Sequence, residues 1–342
     1  RYRIFMGDLS ARANISTAST KPQSGHMQQE IHRNGASHLL NIRVEMVPTM
    51  YGQDAVLRLF NFDESLLNLD LLGLSDDEMS TMRDIISHPR GLVLMVGPTG
   101  SGKSTTLYSI LNALNTTERK IITLEDPIEY GLTGISQIPI QTNDGGSFAE
   151  GLRSVLRLDP DVVMVGEIRD ADTARTAIQA SITGHLVLSS FHANSAAAAF
   201  SRMIDLIGVN PIFASSIRVL IAQRLVRKLA DEKEPYKPDE ATVAYIREKM
   251  ANVPGVGLSD ITLYHPKPTE ETPFGYKGRT VLMEQLVVSE DIQGFLRGDL
   301  KDISAEAIEQ SAQMQGMLTL EQRGILAALR GETTLEEVSR VI

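Results

Sequence analysis

From Gly91 to Phe191 the chain alternates short, mostly apolar runs with longer segments in which apolar residues recur every three or four positions. The runs are "LVLMV" (92–96), "KIITL" (120–124), "VVMV" (162–165) and "LVLSSF" (186–191), with helical spacing over 103–114, 147–158 and 171–182 between them. Runs so short and apolar predict strands buried on both faces, and the intervening helices predict βαβ units around a parallel sheet. Ser147 and Glu150 are spaced as a capping box, Asp170 and Gly184 bracket the helix over 171–182, and the alanines at 196–199 begin another.

The flanking regions read differently. Residues 1 to about 62 mix β-prone "NIRVEMV" (41–47) and "DAVLRLF" (54–60) with turn-rich "KPQSG" (21–25) and "PTMYGQD" (48–54), a pattern that suits a small α/β domain. The opening "RYRIFMG" reads as a strand and, lacking an initiator methionine, as chain whose natural start lies upstream. Residues 63–75 read as a linker, after which Ser75 caps a helix carrying Met79, Met82, Ile85 and Ile86, stopped by Pro89 and Gly91. The boundaries that follow are 1–62, 63–75, 76–228, 229–285 and 286–342. The fourth segment is acidic and turn-rich up to Tyr276, and the last holds helical runs at 304–315 and 319–331.

Composition narrows the classes. A chain of 342 residues with 42% apolar content can bury more than one core without covalent staples. The net charge is −10, and from Leu229 onward there are 12 basic and 20 acidic residues, which disfavours nonspecific nucleic-acid binding. There is no cysteine, so disulfides and thiolate zinc sites are excluded. No apolar run approaches the ~18 residues of a membrane span. The chain reads as cytoplasmic, with any membrane association peripheral.

Candidate chemistry sits at the strand ends. "GPTGSGKST" fits G-x-x-x-x-G-K-[ST] between a strand and a helix, so Gly97, Pro98, Thr99, Gly100, Ser101, Gly102, Lys103, Ser104 and Thr105 form a candidate phosphate loop. Its backbone amides and the helix dipole favour an anion; Lys103 is expected on the β and γ phosphates of ATP and Ser104 on Mg²⁺. "LEDPIEY" (124–130) places Glu125, Asp126 and Glu129 after one strand, and "VVMVGEIRD" (162–170) places Glu167 and Asp170 after another. Ligands in such sheets lie beyond the carboxyl ends of the strands. Asp126 and Asp170 read equally as turn and cap residues. Glu129 and Glu167 are the candidates for orienting water and holding the metal shell, Glu167 directly or through water, with the two roles undivided between them. In "TGHLVLSSFHANSA" (183–196) two histidines stand seven apart, an odd separation that sends strand side chains to opposite faces about 23 Å apart. His192, past the carboxyl end, is placed as a phosphate sensor; His185, at the entry, reads as a packed or interface histidine.

The ordered set "GPTGSGKST", "TLEDPIEY", "DPDVVMVGEIRDADTA" and "TGHLVLSSFHANSA" resembles the type II secretion and type IV pilus assembly ATPases, the GspE/PilB class of hexameric motors, in which these are the Walker A, Asp box, Walker B and His box. "RVEMVPTMYGQDAVLRL" (43–59) and "ASSIRVLIAQRLVRKL" (214–229) extend the resemblance over nearly the whole chain. It implies an α/β fold: an incomplete PAS-like N-terminal domain (1–62), a RecA-like P-loop ATPase core (76–228) and a C-terminal helical extension (286–342). It also implies that Glu129, Glu167 and His192 contribute to hydrolysis, and that Arg43 and Arg58 reach a nucleotide held by a neighbouring ATPase domain.

The implied partners are a homo-hexamer, an inner-membrane platform protein and other pilus or secretion components, with peripheral attachment to the inner membrane and no nucleic acid. Family members commonly carry a four-cysteine zinc module between "RLVRKL" and "GYKGRT"; here that interval has no cysteine, so 229–285 is a cysteine-free equivalent and no zinc is expected. Leu158 stands where the family carries glutamine. "GYKGRT" (275–280) favours the assembly and secretion branch over retraction. Two rivals are a RecA-like nucleic-acid translocase and a non-hydrolysing nucleotide-binding scaffold.

Overall fold

The computed structural model describes residues 2–33, 36–60, 67–142 and 145–342, and the chain divides into two units, Arg1–Leu66 and Leu67–Ile342. In the first, helix α1 (Tyr2–Arg12) precedes an antiparallel sheet of β1 (Gln23–Arg33), β2 (Ala36–Thr49) and β3 (Gly52–Phe60) in that order. The helix corrects the strand expected from "RYRIFMG". Met6, Leu9 and Ala13 recur at helical spacing and pack with Ile42, Val44 and Met46, whereas Tyr2, Ile4 and Phe5, which gave the strand-like pattern, are exposed. "KPQSG" is likewise only partly a turn, because Ser24 and Gly25 already pair with Glu45 and Val44.

The linker expected at 63–75 lies up to residue 66 outside the described residues; beyond it, Leu69–Leu71 forms one 3-10 turn that delivers Leu69 and Leu72 to the core of the second unit. Helix α2 (Asp76–Ser87) follows, with the Ser75–Glu78 capping box in place. The chain then runs β4 (Gly91–Val96), α3 (Lys103–Leu114), β5 (Ile121–Glu125), β6 (Ser136–Pro139), α4 (Phe148–Val155), β7 (Val162–Val165), α5 (Ala171–Ile182), β8 (Leu186–Phe191), α6 (Ala196–Ile207) and β9 (Ile217–Leu229). After these come β10 (Lys233–Tyr236), α7 (Glu240–Lys249), β11 (Leu263–Pro266), β12 (Tyr276–Val287), α8 (Glu290–Arg297), α9 (Ala305–Met314), α10 (Leu320–Leu329) and α11 (Leu335–Val341). Among the described residues no helix is long and apolar enough to cross a membrane.

Seven strands form one sheet, ordered β12-β9-β4-β8-β7-β5-β6, parallel throughout except for the antiparallel β12·β9 edge. The mostly apolar character of these strands is explained by burial on both faces. Leu92, Leu94 and Val96 of β4 pack on one side with α5 and α6, and Val93 and Met95 on the other with α2 and α3. On that second side α3 buries Leu107, Ile110, Leu111 and Leu114 completely, contributing roughly 1.5–3 kcal/mol for each side chain.

Strand β12 runs across the boundary expected between 285 and 286 and joins the central sheet. The segment expected to be turn-rich up to Tyr276 also contains α7 and the β10·β11 hairpin. Ile246 and Met250 of α7 bury against Ile261, Leu263 and, from α10, Ile325 and Ala328. Tyr236 stacks on His265 with centroids 3.8 Å apart.

Helix α11 is anchored on β9 by Glu337, which is 2% exposed and accepts from the Arg227 amide (3.1 Å), the Arg227 guanidinium (2.5 Å) and Arg340 (3.0 and 2.8 Å). The Arg340 hydrogen bonds, aided by Arg227, outweigh burial and hold this carboxyl at about 2, below its ordinary 4.5. A depressed folded pKa contributes stability that is complete above the ordinary value and is lost as pH falls towards the folded one. Glu337→Gln is therefore expected to cost roughly 1–3 kcal/mol near neutral pH. In thermal melts the gap from wild type should close as pH falls from 4.5 towards 2; a gap that does not change with pH would refute this anchor.

Candidate nucleotide-binding site

Strand β4 delivers the chain to the interior of the sheet, flanked by β8 and β9, and ends at Val96. The turn that follows must pass close to β9. A Cβ at Gly97, where φ is +151°, would stand 2.8 Å from the Gln223 carbonyl oxygen, and one at Gly102 (φ +86°) would stand 2.7 Å from Gln223 Nε2. Only glycine fits either position. Gly102 then caps α3, whose first turn carries Lys103, Ser104 and Thr105.

Inside the turn, Lys103 Nζ donates to the carbonyls of Gly97 (2.7 Å) and Pro98 (2.9 Å). Burial lowers its pKa, the charge of Glu167 opposes that, and the Arg224 guanidinium adds to the lowering. Ser104 is exposed. Ser101 is 4% exposed and its hydroxyl has no partner among the described residues, a buried donor at the loop that a phosphate oxygen would satisfy. The loop, the helix N-terminus and this ammonium together fit a nucleotide polyphosphate.

Strands β7 and β8 end side by side because Ser189 and Ser190 of β8 donate to the carbonyls of Val165 (2.7 Å) and Gly166 (2.6 Å), and the Ile168 amide returns a bond to Ser190 (3.0 Å). This zipper brings together two residues expected in the site: His192 Nε2 lies 3.0 Å from Glu167 Oε1. Arg169 Nε lies 2.5 Å from the other carboxylate oxygen. Glu167 is largely buried, with 12% of its side chain exposed, while His192 remains 46% exposed and is open to a ligand.

Glu129, half-buried, stands beyond β5, the neighbour of β7, and its amide donates to the Tyr108 hydroxyl at 3.4 Å. Asp170 caps α5 through the Thr173 amide (2.8 Å), and Asp126 accepts from the Thr142 hydroxyl. His185 lies at the opposite end of β8, its Nδ1 2.9 Å from the Ala180 carbonyl oxygen, beside a cavity of about 310 Å³ also lined by His88 and Arg119. The two histidines share no ligand.

Arg43 and Arg58 belong to the first unit, where they are direct cross-strand partners and so share one face of its sheet. That face is opposite the one bearing Val44 and Met46, which pack with α1. Arg43 Nε lies 2.7 Å from Glu45, and Arg58 is exposed.

Two residues in contact with the loop were not singled out by sequence reasoning. Gln223, fully buried, donates to the Ser101 carbonyl (2.7 Å) and accepts from the Thr106 hydroxyl (2.8 Å), bracing the turn against α3. Arg224, 6% exposed, donates to the carbonyls of Gln223 (3.0 Å), Asn194 (2.8 Å) and Val341 (3.0 Å). The available signal was the polar pair in "LIAQRLV" (220–226), two hydrogen-bonding side chains within an otherwise apolar strand.

A phosphate loop on an interior strand of such a sheet, with acid and histidine at the ends of the next strands, defines a RecA-like P-loop nucleotide-binding protein. The sequence profile of the Type II/IV secretion system protein family matches residues 8–340, and the chain belongs to that family. It is 40% identical over 336 residues to the type II secretion system protein E of Xanthomonas campestris, covering 97% of this chain and 57% of that protein. It is 37% identical over 346 residues to the type IV pilus assembly ATPase PilB of Pseudomonas aeruginosa, again covering 57% of that protein. The chain thus spans less than two thirds of either relative. Among solved structures, the pilus retraction motor PilT with bound ADP matches with a TM-score of 0.61 at 27% identity, over 93% of this chain and 78% of that one.

Replacing Gln223 by leucine keeps its bulk and removes both bonds. The expected loss is about 2 kcal/mol in denaturant unfolding, with faster hydrogen exchange at the amides of 101–106 and none at β4. Unchanged exchange over 101–106 would show that Gln223 does not brace the loop.

Proposed function

We propose that this chain is the ATP-hydrolysing part of a hexameric motor that powers assembly of a type IV pilus or a type II secretion pseudopilus. The observation that carries the reading is the Glu167–His192 contact of 3.0 Å at the strand ends next to the phosphate loop. It joins an acid to a group able to sense or stabilise the γ-phosphate, which a site that only held nucleotide would not require.

In this reading Lys103 turns from the loop carbonyls to the β and γ phosphates, and the amides at the start of α3 hold their oxygens. Mg²⁺, which keeps several waters and takes few protein ligands, would be held by Ser104 and, directly or through water, Glu167; it would supply charge neutralisation at the transferring phosphoryl group. Glu129 and Glu167 between them orient the attacking water and the metal shell. His192 contacts the γ-phosphate.

Arg43 and Arg58 act as fingers in trans on the site of a neighbouring subunit. Both side chains leave the same face of that sheet, so one anionic ligand meets both, Arg43 exchanging Glu45 for it.

The same reading assigns the first unit as the PAS-like domain and Leu67 onward as the RecA-like core with its cysteine-free and helical extensions. Hydrolysis drives rotation between the two, and the hexamer, in the cytoplasm, works peripherally on an inner-membrane platform protein. The relatives named type II secretion system protein E and PilB support assembly or secretion over retraction. The acidic balance speaks against the translocase alternative, and the Glu167–His192 pair against the non-hydrolysing scaffold.

Lys103→Ala is expected to abolish ATP turnover. Glu167→Gln is expected to lower kcat on the order of 100-fold or more while a fluorescent ATP analogue still binds. Turnover that survives Lys103→Ala, or that DNA stimulates, would sink the proposal.

A further inference from the structure

Residues 126–135, between β5 and β6, form neither helix nor strand, yet they carry Glu129. Besides Asn115 Nδ2, which donates to the Thr133 carbonyl at 2.8 Å, two side chains from outside hold this backbone at three points. The Tyr108 hydroxyl accepts from the Glu129 amide at 3.4 Å, Gln137 Nε2 donates to the Tyr130 carbonyl at 3.1 Å, and Gln137 Oε1 accepts from the Leu132 amide at 2.6 Å. Both side chains also converge on one buried carboxylate. Tyr108 donates to Glu125 Oε2, while Gln137 Nε2 (3.0 Å) and the Thr123 hydroxyl donate to Oε1.

Glu125 is 4% exposed and Tyr108 1%, and the Tyr130 ring meets the Tyr108 ring edge-on with centroids 4.4 Å apart. Three neutral donors on a buried carboxylate fix its orientation, because a lost bond there costs the full desolvation of the group. The fixed carboxylate in turn orients the Tyr108 hydroxyl, leaving its oxygen facing the Glu129 amide. Tyr108 stands on α3, the helix that begins at Lys103.

We propose that Tyr108 is a positioning residue for ATP hydrolysis: its hydroxyl, oriented by Glu125, ties the backbone of Glu129 to the phosphate-binding helix. The acid and the phosphates are then registered to one rigid element, and Gln137 completes the tie on the far side of the loop. The inference rests on the function proposed above. It adds a residue that needs no contact with nucleotide.

The test uses the full chain, with ATP turnover, binding of a fluorescent ATP analogue, thermal melting and hydrogen exchange read on each variant. Tyr108→Phe keeps the ring and removes the hydroxyl. It is expected to lower kcat about tenfold with analogue affinity unchanged within about twofold, and to speed exchange of the amides over 126–132. In the Glu129→Gln background the same change should slow turnover no further, since there is no longer an acid to position. Gln137→Met probes the tie from its other end and should give a smaller kcat loss of the same kind; it carries the test if Tyr108→Phe folds poorly.

Wild-type kcat in Tyr108→Phe, or a loss that multiplies with that of Glu129→Gln, overturns the inference. So does a loss that appears equally in affinity and melting temperature. Failure of the underlying function looks different: turnover would then persist in Lys103→Ala, whereas here Lys103→Ala is inactive and only the Tyr108 prediction fails.

Discussion

The phosphate loop has walls because β9 lies parallel to β4 and continues past its end. Val96, the last residue of β4, pairs with Ala222, so the next two residues of β9, paired with β12 on their other side, stand beside the loop with no strand opposite them on the β4 side. Successive strand residues face opposite sides of a sheet. Gln223 therefore reaches the side of α3 and holds Ser101 and Thr106, while Arg224 reaches the other side and holds Asn194, two residues beyond His192. On the β8 flank the Gly97 amide bonds the Phe191 carbonyl at 3.2 Å. A loop leaving an edge strand would have had one such wall; the interior position of β4 gives it two.

The same overhang links the site to the end of the chain through buried charges. Among the described residues Arg224 donates only to carbonyls, one of them Val341 at the end of α11, and Glu284 on β12, 1% exposed, accepts the amides of Ala196 (2.7 Å) and Leu320 (3.1 Å) at the starts of α6 and α10. Burial lowers the pKa of Arg224 and raises that of Glu284, and each charge partly relieves the other. Buried ions persist only where such partners are fixed. The loop after β8, the starts of α6 and α10 and the end of α11 are thereby held in one arrangement, and displacing any of them leaves a charge without its partner.

Most of the site was legible because its logic is local. A glycine-rich turn between strand and helix, acids just past strand ends and a histidine past β8 follow from the strand–helix alternation together with the G-x-x-x-x-G-K-[ST] spacing, and Glu167 and His192 meet because β7 and β8 are adjacent. The partners of Gln223, Arg224 and Tyr108 were not legible, since they lie on elements whose adjacency depends on strand order. Tyr108 in particular reads as one more apolar position on the inner face of α3. At the chain start, "YRIF" offered an apolar–polar alternation that a helix exposing Tyr2, Ile4 and Phe5 satisfies equally well, because the deciding residues, Leu9 and Ala13, lie beyond it. Strand β12 was hidden by "GYKGRT", whose glycines and charges look like a turn but form an irregular, exposed strand start before the buried run from Leu282 to Leu286.

The segment from β10 to β11 draws part of its core from outside itself. A structural zinc holds a small subdomain from within, because its ligands all come from that subdomain. Here β10, α7 and β11 close around Ile246, Met250, Ile261 and Leu263 together with Ile325 and Ala328 of α10. Lys233 adds a second tie, donating to the Gly331 carbonyl just past α10 at 2.5 Å while lying over the Tyr264 ring at 5.0 Å. The segment thus borrows its core from the C-terminal helices. Those helices are themselves tied to β9 and β12 through Glu337 and Glu284, so the stability of this segment is coupled to the same strand that forms the wall of the phosphate loop.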